Sequence, residues 1–307
     1  MENFIKHIDF EICKDKNEVY HGADRKDYVS CSGLKKMKKS PLHFKEEEQK
    51  ETEAMAFGSA YHTFILEPEL FEEEYLVFSD KEICDILIGE GAKSPRATNK
   101  YKEWYEMEMR KANGKTTIDT ATHNMLKSMS DRLMHHRYVN SLLSGGEAEM
   151  SVYCDIELFN GQKVKVKIRP DYKKDGKRII TDLKTTAEGE SSVYNFPRHA
   201  AKYDYQLQAP LYADIMSAIE GKGMGWNFFF IAQEKTKPYA FNIFESGSQF
   251  MAQGRYEYEQ LLMLYAFCVE EDKWPGYQVF TQNRFGVNEL NLPAYMVREI
   301  NWFNHKF

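Results

Sequence analysis

The sequence predicts one α/β domain, a sheet flanked by helices, and three observations carry that prediction. Residues 162–168, QKVKVKI, alternate strictly, with Val164, Val166 and Ile168 on one face and Lys163, Lys165 and Lys167 on the other. Residues 54–67 and 199–219 repeat apolar side chains at helical spacing. No internal repeat or low-complexity linker divides the 307 residues. Hydrophobic content of 42% and charged content of 29% fit a globular chain with a sizeable core.

Taken in order, residues 1–30 are mixed and read as loop. SGLKKMKKSPLHFKEEEQKE reads as a helix with Ser32 as its N-cap, broken at Ser40-Pro41, where a second helix starts. Its Lys35, Lys36, Lys38 and Lys39 read as a solvated face in preference to a phosphate contact. Residues 54–67 form a helix through Phe57, Ala60, Tyr61, Phe64 and Ile65. Residues 80–115 are polar and Gly/Pro-punctuated, an insertion with a helix near 98–112. Residues 118–143 read as helical.

The middle of the chain reads as strands. EMSVYCDIEL (149–158) meets QKVKVKI across an Asn160-Gly161 turn. RIITDLKT (178–185) follows a turn at Asp175-Gly176, so an antiparallel three-strand meander is expected. Residues 199–219 form an amphipathic helix, with Pro210 implying a kink. WNFFFIA (226–232) and YAFNIFE (239–245) are paired strands, residues 247–272 a long helix, and the tail irregular.

Charge and cysteine narrow the function. A formal net charge of −6 argues against a wholly basic nucleic-acid binder and leaves room for a local basic face. The five cysteines are scattered, without a CxxC pair, so neither a zinc nor an iron–sulfur site is expected, and a reducing compartment is. MENFIKHIDFEICKDK lacks a signal-peptide pattern, and no apolar run reaches membrane length. A cytoplasmic protein is expected.

RPDYKKDGKRIITDLKTT (169–186) carries the chemistry. Asp182 and Lys184 lie two apart on a strand and project from one face. Asp171 closes the hairpin from the other side of the turn. Two buried carboxylates repel unless a cation sits between them, and hard oxygens suit Mg²⁺ or Mn²⁺. A lysine beside such an ion holds or deprotonates a water, or stabilises charge developing on a phosphate. A surface hairpin with a cross-strand ion pair is the other reading of the same spacing.

Several further segments, in order, resemble the RecB-like branch of the PD-(D/E)XK nuclease superfamily, and within it the RecE (exonuclease VIII) type of phage and prophage exonucleases. SCSGLKKMKKSPLHFK resembles the opening segment of that group. FGSAYHTFILEPELFEEEYLV resembles its G-x-x-x-H helix, and AEMSVYCDIE the strand with an acidic residue. IRPDY, ITDLKTT and YDYQLQAPLYADI resemble the RPD, DxKTT and Y-x-Q-x-x-x-Y motifs. The likeness runs from about residue 20 to 245.

The resemblance implies a restriction-endonuclease-like PD-(D/E)XK core, a mixed sheet flanked by helices. It would comprise an N-terminal helical segment (1–53), a nuclease core (54–245) with a variable insertion at about 80–145, and a C-terminal helix and tail (246–307). Asp171 and Asp182 would be metal-ligand carboxylates, the Leu183 carbonyl a further ligand, His62 a ligand from the first core helix, and Lys184 the catalytic lysine. Glu149 would be an outer-shell or metal-site acid. Gln208 would orient the site or a DNA phosphate. Tyr205 and Tyr212 would be supporting residues, with Tyr205 also reaching DNA.

The implied activity is Mg²⁺- or Mn²⁺-dependent hydrolysis, with two ions, of one strand of linear double-stranded DNA. It would run processively from the 5′ end and leave 3′ tails for a RecT-like annealing protein. A ring-shaped homo-oligomer, such as a tetramer, is implied as well. No P-loop occurs, so no ATP-driven motor is expected. Lys163, Lys165, Lys167, Lys173 and Lys174 are the candidate phosphate path. Another RecB-like endonuclease or end-trimming nuclease, and a catalytically inactive DNA-binding module, are the alternatives.

Overall fold

The computed structural model describes residues 4–47, 52–221, 225–280, 287 and 289–292. Most of the C-terminal tail read as irregular lies outside the described residues. In chain order the strands are β1 (Ile5–Cys13), β2 (Tyr75–Phe78), β3 (Thr116–Asp119), β4 (Glu147–Ala148), β5 (Ser151–Leu158), β6 (Lys163–Ile168), β7 (Tyr172–Lys174), β8 (Ile179–Thr186), β9 (Asn227–Glu234) and β10 (Phe241–Glu245). The helices are α1 (Asn17–Tyr20), α2 (Cys31–Lys39), α3 (Pro41–Glu46), α4 (Glu53–Leu66), α5 (Pro68–Glu74), α6 (Lys81–Gly89), α7 (Asn99–Ala112), α8 (Thr120–Met134), α9 (Arg137–Leu142), α10 (Phe196–Lys202), α11 (Tyr205–Glu220) and α12 (Ser248–Glu271).

The five-stranded sheet, in the order β10-β9-β8-β7-β4, is mixed, because β8 pairs in parallel with β9 while its other neighbour pairs are antiparallel. A β1-β5-β6 sheet lies beside it, and β2, just before the insertion, pairs with β3 inside it. β8 and β9 are buried on both faces. Ile180, Phe228 and Phe230 join the core under α2, α11 and α12, whereas Leu183, Phe229 and Ile231 join the core under α4, α8 and α9. Their side-chain period of two therefore sends Asp182 and Lys184 toward α11.

The structure corrects the expected meander. β5 and β6 form the hairpin at Asn160-Gly161, but β8 belongs to the other sheet. Pro170 has no N–H to continue the β6 ladder, and the chain crosses over at Arg169-Pro170 before starting β7. Residues read as loop contain β1, whose IKHIDFEIC pairs along the whole of β5. Its pattern is weak because most of its side chains are exposed or half-exposed. The cap of α2 is Ser30, whose hydroxyl accepts from Gly33 N, rather than Ser32. Ser40 caps α3 and Pro41 stands at its first turn, as the Ser-Pro break suggests. The 199–219 helix is two helices, parted at Asp204, which adopts a left-handed φ of 54°. No helix among the described residues is long and apolar enough to cross a membrane.

Candidate active site

The β7–β8 hairpin builds the site by stopping early. Tyr172 pairs with Thr181, and β7 supplies no partner beyond that point. Leu183 N–H on the uncovered edge of β8 instead donates to Asp171 Oδ2, at 2.7 Å. On the same edge the Leu183 carbonyl meets His62 Nε2 from α4 at 3.0 Å. A carbonyl and a carboxylate are thereby fixed on one side of β8 without a helix terminus or a flexible loop.

Glu149 completes this cluster from the junction of β4 and β5. It is not on a strand, contrary to expectation; its φ is +52°, a region costly for a residue with a Cβ. Its N–H donates to the Asp171 carbonyl at 3.0 Å, which holds the two acids side by side. His62 Nδ1 lies 3.5 Å from Asp171 Oδ2 and 3.7 Å from Glu149 Oε1. One ligand atom from each of His62, Glu149 and Asp171 falls within 4.8 Å of the others.

Asp182 stands next to this cluster on the buried side. Gln208 of α11 donates to its Oδ1, and Lys184 Nζ lies 2.6 Å from its Oδ2. That Oδ2 is buried and has no hydrogen bond of good geometry beyond the ion pair. Tyr205 lies over the ammonium of Lys184, 4.8 Å from ring centroid to Nζ. Tyr212 is buried in the core beside the same cavity.

The charges are mutually dependent. Burial pushes the Asp182 carboxyl up, as does the Asp171 charge, and Lys184 only partly offsets them, leaving it at about 6. Burial raises Asp171 too, against the pull of His62. Burial disfavours the His62 cation, but Asp171 and Glu149 outweigh it and raise the imidazole to about 9. For Lys184 burial likewise opposes the charge, and Asp182 outweighs it, so the ammonium is held. The His62 imidazolium and the Lys184 ammonium oppose the negative charge of this carboxylate cluster.

The donor set fits a hard divalent cation: the carboxylates of Glu149 and Asp171 and the His62 imidazole line a cavity of about 630 Å³, and the Leu183 carbonyl lies behind them against His62. Ser30, Lys35, Lys16 and Arg169 also line that cavity. Lys35 was expected on a solvated face. It instead donates to the Tyr203 carbonyl at 2.6 Å and lies 5.1 Å from the Tyr205 ring. The signal was available: Lys35 is one turn from buried Cys31 on α2. Arg169 braces the wall through Ser151, Asn17 and the Asp15 carbonyl.

The expected lysine path does not form. Lys167 is buried and donates to the Tyr20 and Arg25 carbonyls, at 2.7 and 3.0 Å. Lys173 is buried between Glu147 and Asp175, and Lys174 donates to the Ser141 carbonyl. Lys163 and Lys165 are exposed but line a separate groove, with Lys165 Nζ 5.3 Å from the Tyr28 ring centroid. Alternation placed these side chains on a face correctly and said nothing about what covers that face.

Gly58 lies one turn before His62 on α4, and a Cβ there would meet nothing within 4 Å. Gly58→Ala is therefore expected to stabilise the fold by about 1 kcal/mol, through helix propensity alone. Chemical denaturation measures this; a loss of stability would mean that the fold itself needs the glycine.

The family model of a PDDEXK-like domain of unknown function (DUF3799) matches residues 30–279. A crystal structure from Eubacterium rectale, of a protein named "Putative exonuclease", is similar with a TM-score of 0.57 and 16% identity, over 92% of this chain and 96% of that one. At that identity the likeness shows a shared fold. No curated protein matches the sequence. The match spans α2 through α12, including the hairpin on which Asp171, Asp182 and Lys184 stand. The chain belongs to the DUF3799 family, and through its PDDEXK-like domain to the PD-(D/E)XK nuclease superfamily.

Proposed function

We propose that the protein is a divalent-metal-dependent exodeoxyribonuclease acting on linear double-stranded DNA. One observation carries this reading: His62, Glu149 and Asp171 face one cavity, with the Leu183 carbonyl and the Asp182–Lys184 pair beside them. Asp171, Glu149, His62 and the Leu183 carbonyl would hold Mg²⁺ or Mn²⁺, with Asp182 next to them and able to join a second ion. Bound ions of this kind supply a water deprotonated near neutral pH and neutralise charge on the phosphate.

The chain's own groups do the rest. Gln208 and Lys184 fix both oxygens of Asp182, so that carboxylate does not swing when substrate arrives. Lys184 keeps its proton and is aimed from a rigid strand, which suits it to hold a nucleophilic water or a phosphate oxygen by hydrogen bonding. The Tyr205 ring lies against its ammonium. Buried surroundings strengthen each of these electrostatic contacts relative to water.

The finer reading rests on the RecE-like motifs: digestion from the 5′ end, processivity through a ring of subunits, and 3′ tails passed to a RecT-like annealing protein in a phage or prophage setting inside a bacterial cell. Linear duplex labelled separately at its 5′ and 3′ ends, with a covalently closed circle alongside, tests it. Loss of 5′ label from linear DNA only is the expected result. A cut circle would make the enzyme an endonuclease, and intact DNA with every divalent ion would overturn the nuclease reading.

Metal loading should release protons. His62, at about 9, is protonated at pH 7 and must lose its proton to ligate. Mn²⁺ affinity is therefore expected to rise about tenfold per pH unit between pH 7 and 9 and to level off above. Calorimetry in two buffers of different ionisation enthalpy should count about one proton released near pH 7.5. Pure buffer-independent heats would show that His62 is not displaced from its proton and does not ligate.

A further inference from the structure

The loop that follows β8 has features that the site itself does not use. Residues 187–195 run from the end of the Lys184 strand to α10 and expose Val193 and Tyr194, 58% and 83% accessible. Such a tip is usually mobile, but this one is braced from below. The buried Glu234 carboxylate accepts from Gly189 N and Ser191 Oγ, at 3.0 and 2.8 Å. Asn242 holds the Ser191 carbonyl, and Asn195 and Ser192 both hold that of Gly189. Five hydrogen bonds thus fix the loop that presents Tyr194.

Basic residues flank the loop at both ends. Lys235 bonds Thr186 through its backbone, and Lys237 follows on the same connection. Arg198 and Lys202 lie on α10, directly after the loop. Among the described residues none of these four cations is in an ion pair; Lys202 and Lys235 rest against the rings of Tyr203 and Phe57. Of the nearby acids, Glu190 is engaged by His199 and Glu234 is buried under the loop, leaving Glu188 exposed. The patch connects to the site: Tyr203 stacks near Tyr205, and Tyr205 covers Lys184.

We infer that this rim holds an unpaired stretch of DNA, with a base stacked on Tyr194 and phosphates facing Lys235, Lys237, Arg198 and Lys202. The inference rests on the nuclease reading of the neighbouring site and adds where the strand lies. A ring presented from a braced loop stacks on a base without the cost of ordering that loop, and unpaired cations release counterions when phosphates arrive. A duplex hides its base faces, so the recognised form is single-stranded.

The test is binding of a fluorescent single-stranded oligonucleotide, and of blunt duplex, in EDTA so that nothing is cleaved. Tyr194→Ala is expected to weaken single-strand binding about tenfold and to abolish quenching of a 2-aminopurine placed in the strand. Tyr194→Phe should keep both, and duplex affinity should change less than about twofold in either variant. The doubly substituted Lys235→Ala, Lys237→Ala protein should lower the slope of log affinity against log salt by about 1.4. Unchanged affinity and quenching in Tyr194→Ala would overturn the inference. If wild type cleaves DNA while binding ignores Tyr194, the inference fails and the nuclease reading stands. If Tyr194-dependent binding is found but no divalent ion supports cleavage, the nuclease reading fails and the rim stands.

Discussion

Lys184→Ala is expected to lower metal-dependent DNA cleavage by about 10²–10³-fold, the usual cost of removing one preorganised donor from a charge-developing centre. The fold should survive. Lys184 stands near the end of β8, its nitrogen is in an ion pair with Asp182 only among the described residues, and Asp182 keeps the Gln208 bond. Asp182 can absorb the lost cation by taking a proton, because burial already holds its carboxyl near 6. Circular dichroism and Mn²⁺ calorimetry on the variant separate the outcomes. Metal binding retained with cleavage lost assigns Lys184 to the chemical step. Cleavage within threefold of wild type would remove Lys184 from the mechanism, and loss of metal binding would make it a support for the carboxylates. Lys184→Arg should rescue little, since a planar guanidinium does not reproduce a compact ammonium under the Tyr205 ring.

How far the sequence reached depends on whether the decisive contact was local. The RPD and DLK segments lie in one hairpin, so Asp171, Asp182 and Leu183 were legible from a turn and a two-residue period. His62 and Gln208 lie 121 and 26 residues from the groups they touch, and only the motif likeness connected them to the site. Lys167 shows the opposite failure. Its alternation with Val166 and Ile168 is that of a solvent-facing lysine, yet the segment before α2 folds back and supplies two carbonyls for its ammonium. The sheet partner of β8 was equally hidden, because a parallel strand arrives 40 residues later with no turn to announce it. Glu149 was found as an acid but misplaced on a strand; nothing in EAEMSV marks a left-handed residue other than glycine or asparagine.

Gly254→Ala should be the most damaging single-methyl change in the described fold. By helix propensity alone the substitution would stabilise α12 by about 1 kcal/mol. Packing reverses the sign. A Cβ at Gly254 would lie 1.6 Å from the Gln206 carbonyl oxygen and 2.9 Å from Pro210 Cγ, and a backbone oxygen cannot turn aside. The proline explains the approach. Pro210 stands inside α11 without an N–H for the carbonyl four residues back, so the Gln206 oxygen is released from the helix ladder and α12 moves in against it. The helices cannot ease apart, because Asp214 of α11 is held in two hydrogen bonds by Arg255 and in a third by Tyr258, at 2.6–2.8 Å. The expected cost is about 3 kcal/mol or more, near the upper range for overpacking, with Tm falling by roughly 5–10 °C. Gln208 lies on the same helix, so the displacement should also loosen Asp182 and lower Mn²⁺ affinity, which Arg255→Ala should reproduce in weaker form. A Tm equal to or above wild type would mean that α11 and α12 are not in contact at this position and that Pro210 does not expose the Gln206 carbonyl to α12.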